Sequence, residues 1–260
     1  MPFQTINGIR YLTFDSFEAE VVHAVFTRRG GVSPAPWAAL NLGGTVGDDP
    51  ERVRENRLRA LAALGRDPAS VYDVWQVHGS DAVVAEAPRS PETPYRQADI
   101  LLTDRPQVTL LMRFADCVPI LFHDPAHRAV GIAHAGWMGT VRGVVGAAVK
   151  AMHDRFGTRP GDLRAAIGPS IGPDHYEVGA DVILQVKQIF DLDSAAVLKP
   201  VAGRIHFDLW EANRIQLERA GVWQVEISGQ CTACHLDDWY SHRLENGRTG
   251  RFGAMIALKE

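Results

Sequence analysis

The chain has 260 residues, of which 46% are hydrophobic, enough for a sizeable core in one mixed α/β domain spanning 1–260. Its 27 basic and 31 acidic residues leave a formal net charge of −4 with no clustered basic face, which argues against a nucleic-acid partner. Three cysteines, an odd number, argue against a disulfide framework; with no basic-then-apolar leader in Met1 to Asp15 and no apolar run near the ~18–20 residues of a membrane span, a soluble cytoplasmic protein is expected.

Val21 to Phe26 reads as a strand, followed by the turn-rich Thr27 to Ser33 and a second glycine loop at Asn41 to Gly44. Asp49-Pro50 is a helix start, with Asp as N-cap and Pro in the first turn, and Gly65 is its stop. Val71 to Val77 is expected to be a strand running straight into His78. Val108 to Met112 and Val118 to Phe122 are short buried strands with Cys117 between them, and Val130 to Ala133 is a strand ending at His134. From Gly139 to Phe156 the apolar residues fall at helical spacing and predict one continuous helix. Leu163 to Ile167 is a strand closed by the glycine-proline loop 168–173. Ala180 to Phe190 is a helix, and Asp208 opens another that stops near Gly221. Val222 to Ile227 and Phe252 to Leu258 are the late strands. No internal repeat or low-complexity tract interrupts this order.

Three stretches concentrate ligand chemistry: Trp75-Gln76-Val77-His78-Gly79, Ala115-Asp116-Cys117-Val118-Pro119 and Ala133-His134-Ala135-Gly136-Trp137. Each sets one imidazole or thiol among small residues at the edge of an apolar run, where loops can form a cleft. His78, Cys117 and His134 make an open three-ligand zinc set with the fourth position left for water or substrate. Read from the residues alone, a buried Cys and two hydrogen-bonded His remain an alternative. Asp116 is a candidate to orient a ligand histidine through its second ring nitrogen or to shuttle protons, and a turn-capping carboxylate is the other reading. Glu177 is a weaker candidate of the same kind. Cys231-Thr232-Ala233-Cys234-His235 has the spacing of a c-type haem attachment, but that chemistry needs export; a half zinc site lacks a visible second ligand pair, so two free thiols are expected there.

The motifs WQVHG, ADCVP and HAGW resemble the family long described as laccase-domain or multicopper polyphenol oxidoreductases, which includes bacterial YfiH-like proteins. The resemblance extends through Phe26 to Ser33, Asn41-Leu42-Gly43, Gly47 to Pro50, Glu55-Asn56-Arg57, Ala98-Asp99, Thr103-Asp104, Ile167 to Pro173, Tyr176-Glu177-Val178, Ser241-His242-Arg243 and Thr249-Gly250-Arg251. It implies a four-layer α/β/β/α sandwich, distantly similar to the catalytic domain of the deamidating toxin cytotoxic necrotizing factor. It implies zinc on His78, Cys117 and His134, with purine nucleosides and phosphate as partners. The implied activity is phosphorolysis of adenosine, inosine, guanosine and methylthioadenosine together with deamination of adenosine, in a monomer or small homo-oligomer. One departure stands out, since Met138 follows Gly136-Trp137 where the family usually carries arginine.

Phosphate recognition favours the planar donor fork of arginine. Arg28, Arg29, Arg243, Arg248 and Arg251 lie in glycine-rich or loop contexts; Arg28 is the first choice for phosphate, then Arg243, with Arg251 and Asn41 in the same pocket. Three other readings compete. Copper can occupy a His/Cys site and give a laccase-like polyphenol oxidase, although no His-x-His pair of the multicopper type occurs here. Cys117 with His134 or His78 as base would make a metal-free Cys-His hydrolase or deamidase. A non-enzymatic scaffold would leave the three ligand-type residues without a purpose.

Overall fold

A computed structural model describes residues 1–17 and 20–259. In chain order the elements are β1 (Phe3–Ile6), β2 (Ile9–Leu12), β3 (Val21–Phe26), α1 (Pro50–Ala63), β4 (Val71–Asp73), β5 (Ala82–Val84), β6 (Ile100–Thr103), β7 (Thr109–Phe114), β8 (Val118–Asp124), β9 (Ala129–Ala135), α2 (Trp137–Val141), α3 (Val144–Phe156), β10 (Arg164–Ile167), α4 (Ala180–Phe190), α5 (Ser194–Val197), β11 (Leu198–Val201), β12 (Arg204–Phe207), α6 (Leu209–Arg219), β13 (Gln224–Ile227) and β14 (Phe252–Leu258). They build two six-stranded mixed sheets, ordered β1-β2-β3-β14-β7-β4 and β13-β10-β8-β9-β6-β5, plus the β11–β12 hairpin.

The strands of the second sheet are apolar on both faces, so both faces must be covered. Ile120 and Phe122 of β8, with Ala133 of β9, pack under Val145, Ala148, Val149 and Met152 of α3 and under Ala212 and Ile215 of α6. Their neighbours Leu121 and Ile132 point the other way, against Leu110, Met112, Ala254 and Ile256 of the first sheet. The outer face of that sheet is covered by Ala60, Leu61 and Ala63 of α1, which meet Ala24, Phe26, Leu111 and Met255. The result is helix, sheet, sheet, helices: a mixed α/β sandwich in four layers. No helix among the described residues is long and apolar enough to cross a membrane.

Local chemistry explains the ends of these elements. The Asp49 carboxylate accepts from the Glu51 amide and Pro50 opens α1, while Gly65, at φ +64, follows its last turn. Asp208 caps α6 by accepting from the Glu211 amide, but Glu211 does not reach back; its carboxylate is held by Arg214 at 2.7 Å.

Three elements differ from their sequence expectation, and two of the differences set up the site. The expected helix 139–156 is two helices, because Gly143 at φ +75 reverses the backbone between α2 and α3. The strand expected over Val71 to Val77 stops at Asp73; beyond it only Trp75 makes an isolated bridge, to Gln97, and His78 sits in a turn at φ +58. Conversely, β9 does not end at Ala133 but continues through His134 to Ala135.

Candidate active site

In the β8–β9 register Pro119 lies opposite His134 and Val118 opposite Ala135, so Cys117 and His134 come to the same end of the second sheet. The His78 turn closes over that end. One donor atom from each of His78, Cys117 and His134 falls within 4.8 Å of the others. Cys117 Sγ is 3.8 Å from His78 Nε2, and the two imidazoles meet edge to face with centroids 4.8 Å apart.

Asp99, fully buried just before β6, organises the cluster. Its carboxylate accepts from His134 Nδ1 at 2.7 Å and from the amides of Val77, His78 and Gly79 at 3.0, 3.0 and 2.7 Å. One anion therefore fixes the turn that presents His78 and leaves His134 Nε2 free for the cluster. Burial alone would raise the Asp99 carboxyl, yet the His134 ring and the two glycine-turn amides hold it below the usual carboxylate value. The same logic couples the other two groups. Burial opposes the Cys117 thiolate, but the charge and hydrogen bond of His134, then those of His78, outweigh it and bring the thiol down to about 6. Burial also opposes the His134 imidazolium, but Cys117 and Asp99 bring it up to about 9. Gly136 completes the arrangement. A Cβ there would stand 2.8 Å from Cys117 Sγ and 3.0 Å from His78 Cδ2, so only glycine lets these side chains sit where they do.

The cluster forms one wall of a cavity of about 600 Å³ whose lining includes Arg54, Arg57, Arg113, Arg251, Trp75, Gln76, Tyr95 and His242, and, among the described residues, no carboxylate. Buried Asp73 stands behind three guanidiniums: Arg89 at 2.9 Å, Arg113 at 3.0 Å and Arg57 at 3.8 Å. One carboxylate cannot neutralise three cations, so the cavity keeps a positive excess. Trp75 and Tyr95 are more than two-fifths exposed and present aromatic surface to the same space.

The remaining candidates fall into two groups. Of those assigned to phosphate, Arg251 lines the cavity, with its amide held at 2.9 Å by Asn41. Arg28 does not. Its guanidinium donates to the carbonyls of Ala38, Leu236 and Trp239, pairs with Glu245 at 3.1 Å and stacks on Tyr240, which makes it a clamp between loops. Asn41 is fully buried, with both ends of its amide used on Gly43, Asp48 and Arg251; it shapes the wall without facing the cavity. Arg243 lies over the Tyr176 ring and donates to the Glu177 carbonyl. Asp116, a candidate to orient a histidine or shuttle protons with loop capping as the other reading, accepts from Thr232 Oγ1 at 2.7 Å and from the Arg243 amide at 2.6 Å, contacts of the capping kind. Asp99 orients His134 instead. Glu177 pairs with Arg204 at the surface, and Met138 on α2 does not line the cavity.

Sequence reasoning assigned no role to Asp99, Arg57, Arg113, Trp75, Tyr95 or His242. Two of these carried a signal: Arg113 is a lone cation in an otherwise apolar strand, and Asp99 a lone carboxylate between Ala98 and the apolar run Ile100 to Leu102.

Residues 22–259 match the family model described as multi-copper polyphenol oxidoreductase laccase. The chain is 42% identical over 238 residues to the purine nucleoside phosphorylase of Deinococcus radiodurans, covering 92% of this chain and 89% of that protein. The crystal structure of YlmD from Geobacillus stearothermophilus superposes with a TM-score of 0.92 at 36% identity, covering 99% of both chains. That of YfiH from Bacillus licheniformis, described as a hypothetical protein, does so with a TM-score of 0.92 at 33% identity, again over 99% of both.

Proposed function

The chain belongs to the multi-copper polyphenol oxidoreductase laccase family, and we propose that it is a zinc-dependent purine nucleoside phosphorylase that also deaminates adenosine. The observation that carries this reading is the cavity itself, where four arginines and, among the described residues, no carboxylate face the His78–Cys117–His134 cluster. The name of the relative from Deinococcus radiodurans, purine nucleoside phosphorylase, supports the phosphorylase part of this reading.

The donor chemistry supports zinc. One thiol and two imidazoles form the kind of three-residue set that catalytic zinc takes. The 3.8 Å between Cys117 Sγ and His78 Nε2 is near the ~3.6 Å edge of a tetrahedron built from Zn–S of about 2.3 Å and Zn–N of about 2.0 Å. The hydrogen bond from His134 Nδ1 to Asp99 is the usual support of a metal-binding imidazole. Bound by these residues, zinc supplies Lewis acidity and keeps a coordination position open. The cluster holds only two imidazoles, which weighs against a multicopper centre.

The chain's own residues account for binding and proton transfer. Arg57, Arg113 and Arg251 hold phosphate and offset its charge. Trp75 and Tyr95 offer faces for the purine ring. In phosphorolysis a phosphate oxygen forms the bond to C1′, the C1′–N9 bond breaks with its electron pair left on the purine, and a His242 ring nitrogen donates the proton the base takes up. In deamination water adds at C6 and ammonia leaves, with the same imidazole in reach of the proton. Adenosine, inosine, guanosine and methylthioadenosine are the substrates this reading names.

A second reading has an observation of its own. Cys117, His134 and Asp99 stand in the order nucleophile, base, orienting carboxylate, with the thiol lowered and the imidazole raised. That would suit a metal-free Cys-His hydrolase. Chelation separates the two: loss of nucleoside turnover, restored by zinc alone, supports the phosphorylase, whereas turnover that survives chelation and dies on alkylation of Cys117 supports the hydrolase. Stoichiometric copper in protein made without added copper would instead restore the oxidase reading.

A further inference from the structure

The strands β10 and β13 run parallel and adjacent, with Ile167 opposite Ile227, so the loops after them leave the sheet at one end. The loops stay together: the Ser170 amide donates to the Gln230 carbonyl at 3.2 Å and the Thr232 amide to the Ser170 carbonyl at 3.0 Å. The first loop carries Asp174 and His175, the second Cys231 and Cys234. This is the ligand pair that Cys231-x-x-Cys234 lacks in the sequence.

We infer that Asp174, His175, Cys231 and Cys234 form a second, structural metal site that takes zinc. One ligand atom from each of the four lies within 4.8 Å of the others. His175 Nδ1 is 3.7 Å from Cys231 Sγ, 3.5 Å from Cys234 Sγ and 3.3 Å from Asp174 Oδ2, and Cys234 Sγ is 3.4 Å from Asp174 Oδ2. Tetrahedral zinc with sulfur, nitrogen and oxygen ligands has edges of about 3.3–3.8 Å, from bond lengths of about 2.0–2.3 Å. Hydrogen bonds tie the two thiols, the imidazole and the carboxylate together, and with those protons displaced the same four atoms are a donor set that suits a borderline-soft divalent cation. Cys231 Sγ also accepts from the Gly172 amide at 3.2 Å, which ties the first loop to the second. Gly172 has no room for a side chain, since a Cβ there would stand 3.2 Å from Cys231 Cβ and 2.8 Å from Asp174 Oδ1. Four protein ligands close the coordination sphere, the mark of a structural centre. A disulfide between the two cysteines would leave the convergence of Asp174 and His175 unexplained.

The site pins two loops that reach the catalytic cluster. Thr232, between the cysteines, donates to Asp116, whose own carbonyl accepts from the Ile171 amide; Cys117 is the next residue. This inference stands independently of the proposed reaction.

The test uses full-length protein purified reduced and without oxygen, with Cys117→Ala removing the first site. Titrated with cobalt(II) alone, that variant should bind one equivalent with a thiolate-to-cobalt charge-transfer band. Adding Cys234→Ser, a conservative change at an exposed position, should abolish the band, and adding His175→Gln instead should do the same, with unchanged far-ultraviolet circular dichroism. Zinc content should fall from two per chain in wild type to one in Cys234→Ser. No cobalt binding by Cys117→Ala, equal binding after loss of Cys234 and His175, or a Cys231–Cys234 disulfide in the reduced preparation would each overturn the inference.

Discussion

Replacing Gly136 by alanine isolates the geometry of the catalytic cluster from its chemistry. Gly136 caps α2 with φ −73° and ψ 176°, a conformation open to alanine, so the backbone does not resist the change. At a helix N-cap, alanine in place of glycine costs on the order of 1 kcal/mol or less. The side chain is the difficulty. Its Cβ would lie 2.8 Å from Cys117 Sγ and 3.0 Å from His78 Cδ2, where comfortable contacts begin at about 3.5–4.0 Å. One or both ligands must therefore retreat by roughly 0.5–1 Å, several times the ~0.2 Å that zinc–ligand distances tolerate. We expect zinc affinity to weaken at least 10-fold and kcat/KM with inosine to fall at least as far, while the thermal midpoint of the metal-free protein moves by no more than a few degrees. Competition with a chromophoric chelator measures the first, and coupled release of hypoxanthine the second. If Gly136→Ala binds zinc as tightly as wild type, the metal is not held between Cys117 and His78.

A contrasting pair of arginine variants tests which cations serve the cavity. Arg57→Ala, half-buried on α1, should raise the phosphate KM by about 10-fold or more, the equivalent of one charge-assisted hydrogen bond, with a melting temperature lowered by a few degrees because the Leu42 carbonyl loses its donor. Arg28→Ala should act on stability instead: leaving three carbonyls and one Glu245 oxygen without their donor costs about 3 kcal/mol, a drop of about 6–12 °C in a chain of this size, with phosphate KM unaltered in the folded protein. Trp75→Ala should raise the nucleoside KM by roughly 10-fold, from the loss of one stacked base, and spare phosphate; equal effects on both would place Trp75 outside the base site. In metal-free protein, the Cys117 thiol near 6 and the His134 imidazole near 9 make an ion pair with a defined window. The thiolate contribution is complete above the unfolded value of about 8.5 and is lost as pH falls through about 6; the imidazolium contribution is complete below about 6.5 and is lost as pH rises through about 9. Alkylation of Cys117 should accordingly show an inflection near pH 6, and an inflection above 8 would refute the pairing.

Much of the fold is legible where local pattern and tertiary environment agree. Val21–Phe26, Ala180–Phe190 and Phe252–Leu258 have the boundaries their apolar runs suggest, and Asp49-Pro50 and Asp208 open the helices they announce. The failures have physical causes. Helical periodicity runs unbroken through residues 139–156, and only the positive φ of Gly143 divides it. The run Val71 to Val77 is apolar enough for a strand, but three amides around His78 are taken by Asp99 and are unavailable for a ladder. The short strands β1, β2, β5 and β6 and the β11–β12 hairpin have too few residues to show a period, and pairing fixes them, within hairpins for β1–β2 and β11–β12 and across the sheet for β6 with β9. The three metal-type ligands stand out locally because each has small neighbours. The arginine wall does not, because Arg57 comes from α1, Arg113 from β7 and Arg251 from the segment before β14, and only the packed sandwich brings them together. Arg28 illustrates the converse: a cation in a family-like glycine loop that lies outside the cavity and whose Nε and Nη1 hold other loops.

The most direct measurement follows zinc-loaded protein with inosine, with and without phosphate, beside Cys117→Ala treated identically. Hypoxanthine and ribose 1-phosphate should appear in equal amounts, only when phosphate is present, and neither from the variant despite its retained fold. Release of base without phosphate, or undiminished turnover by Cys117→Ala, would contradict a zinc-dependent phosphorylase.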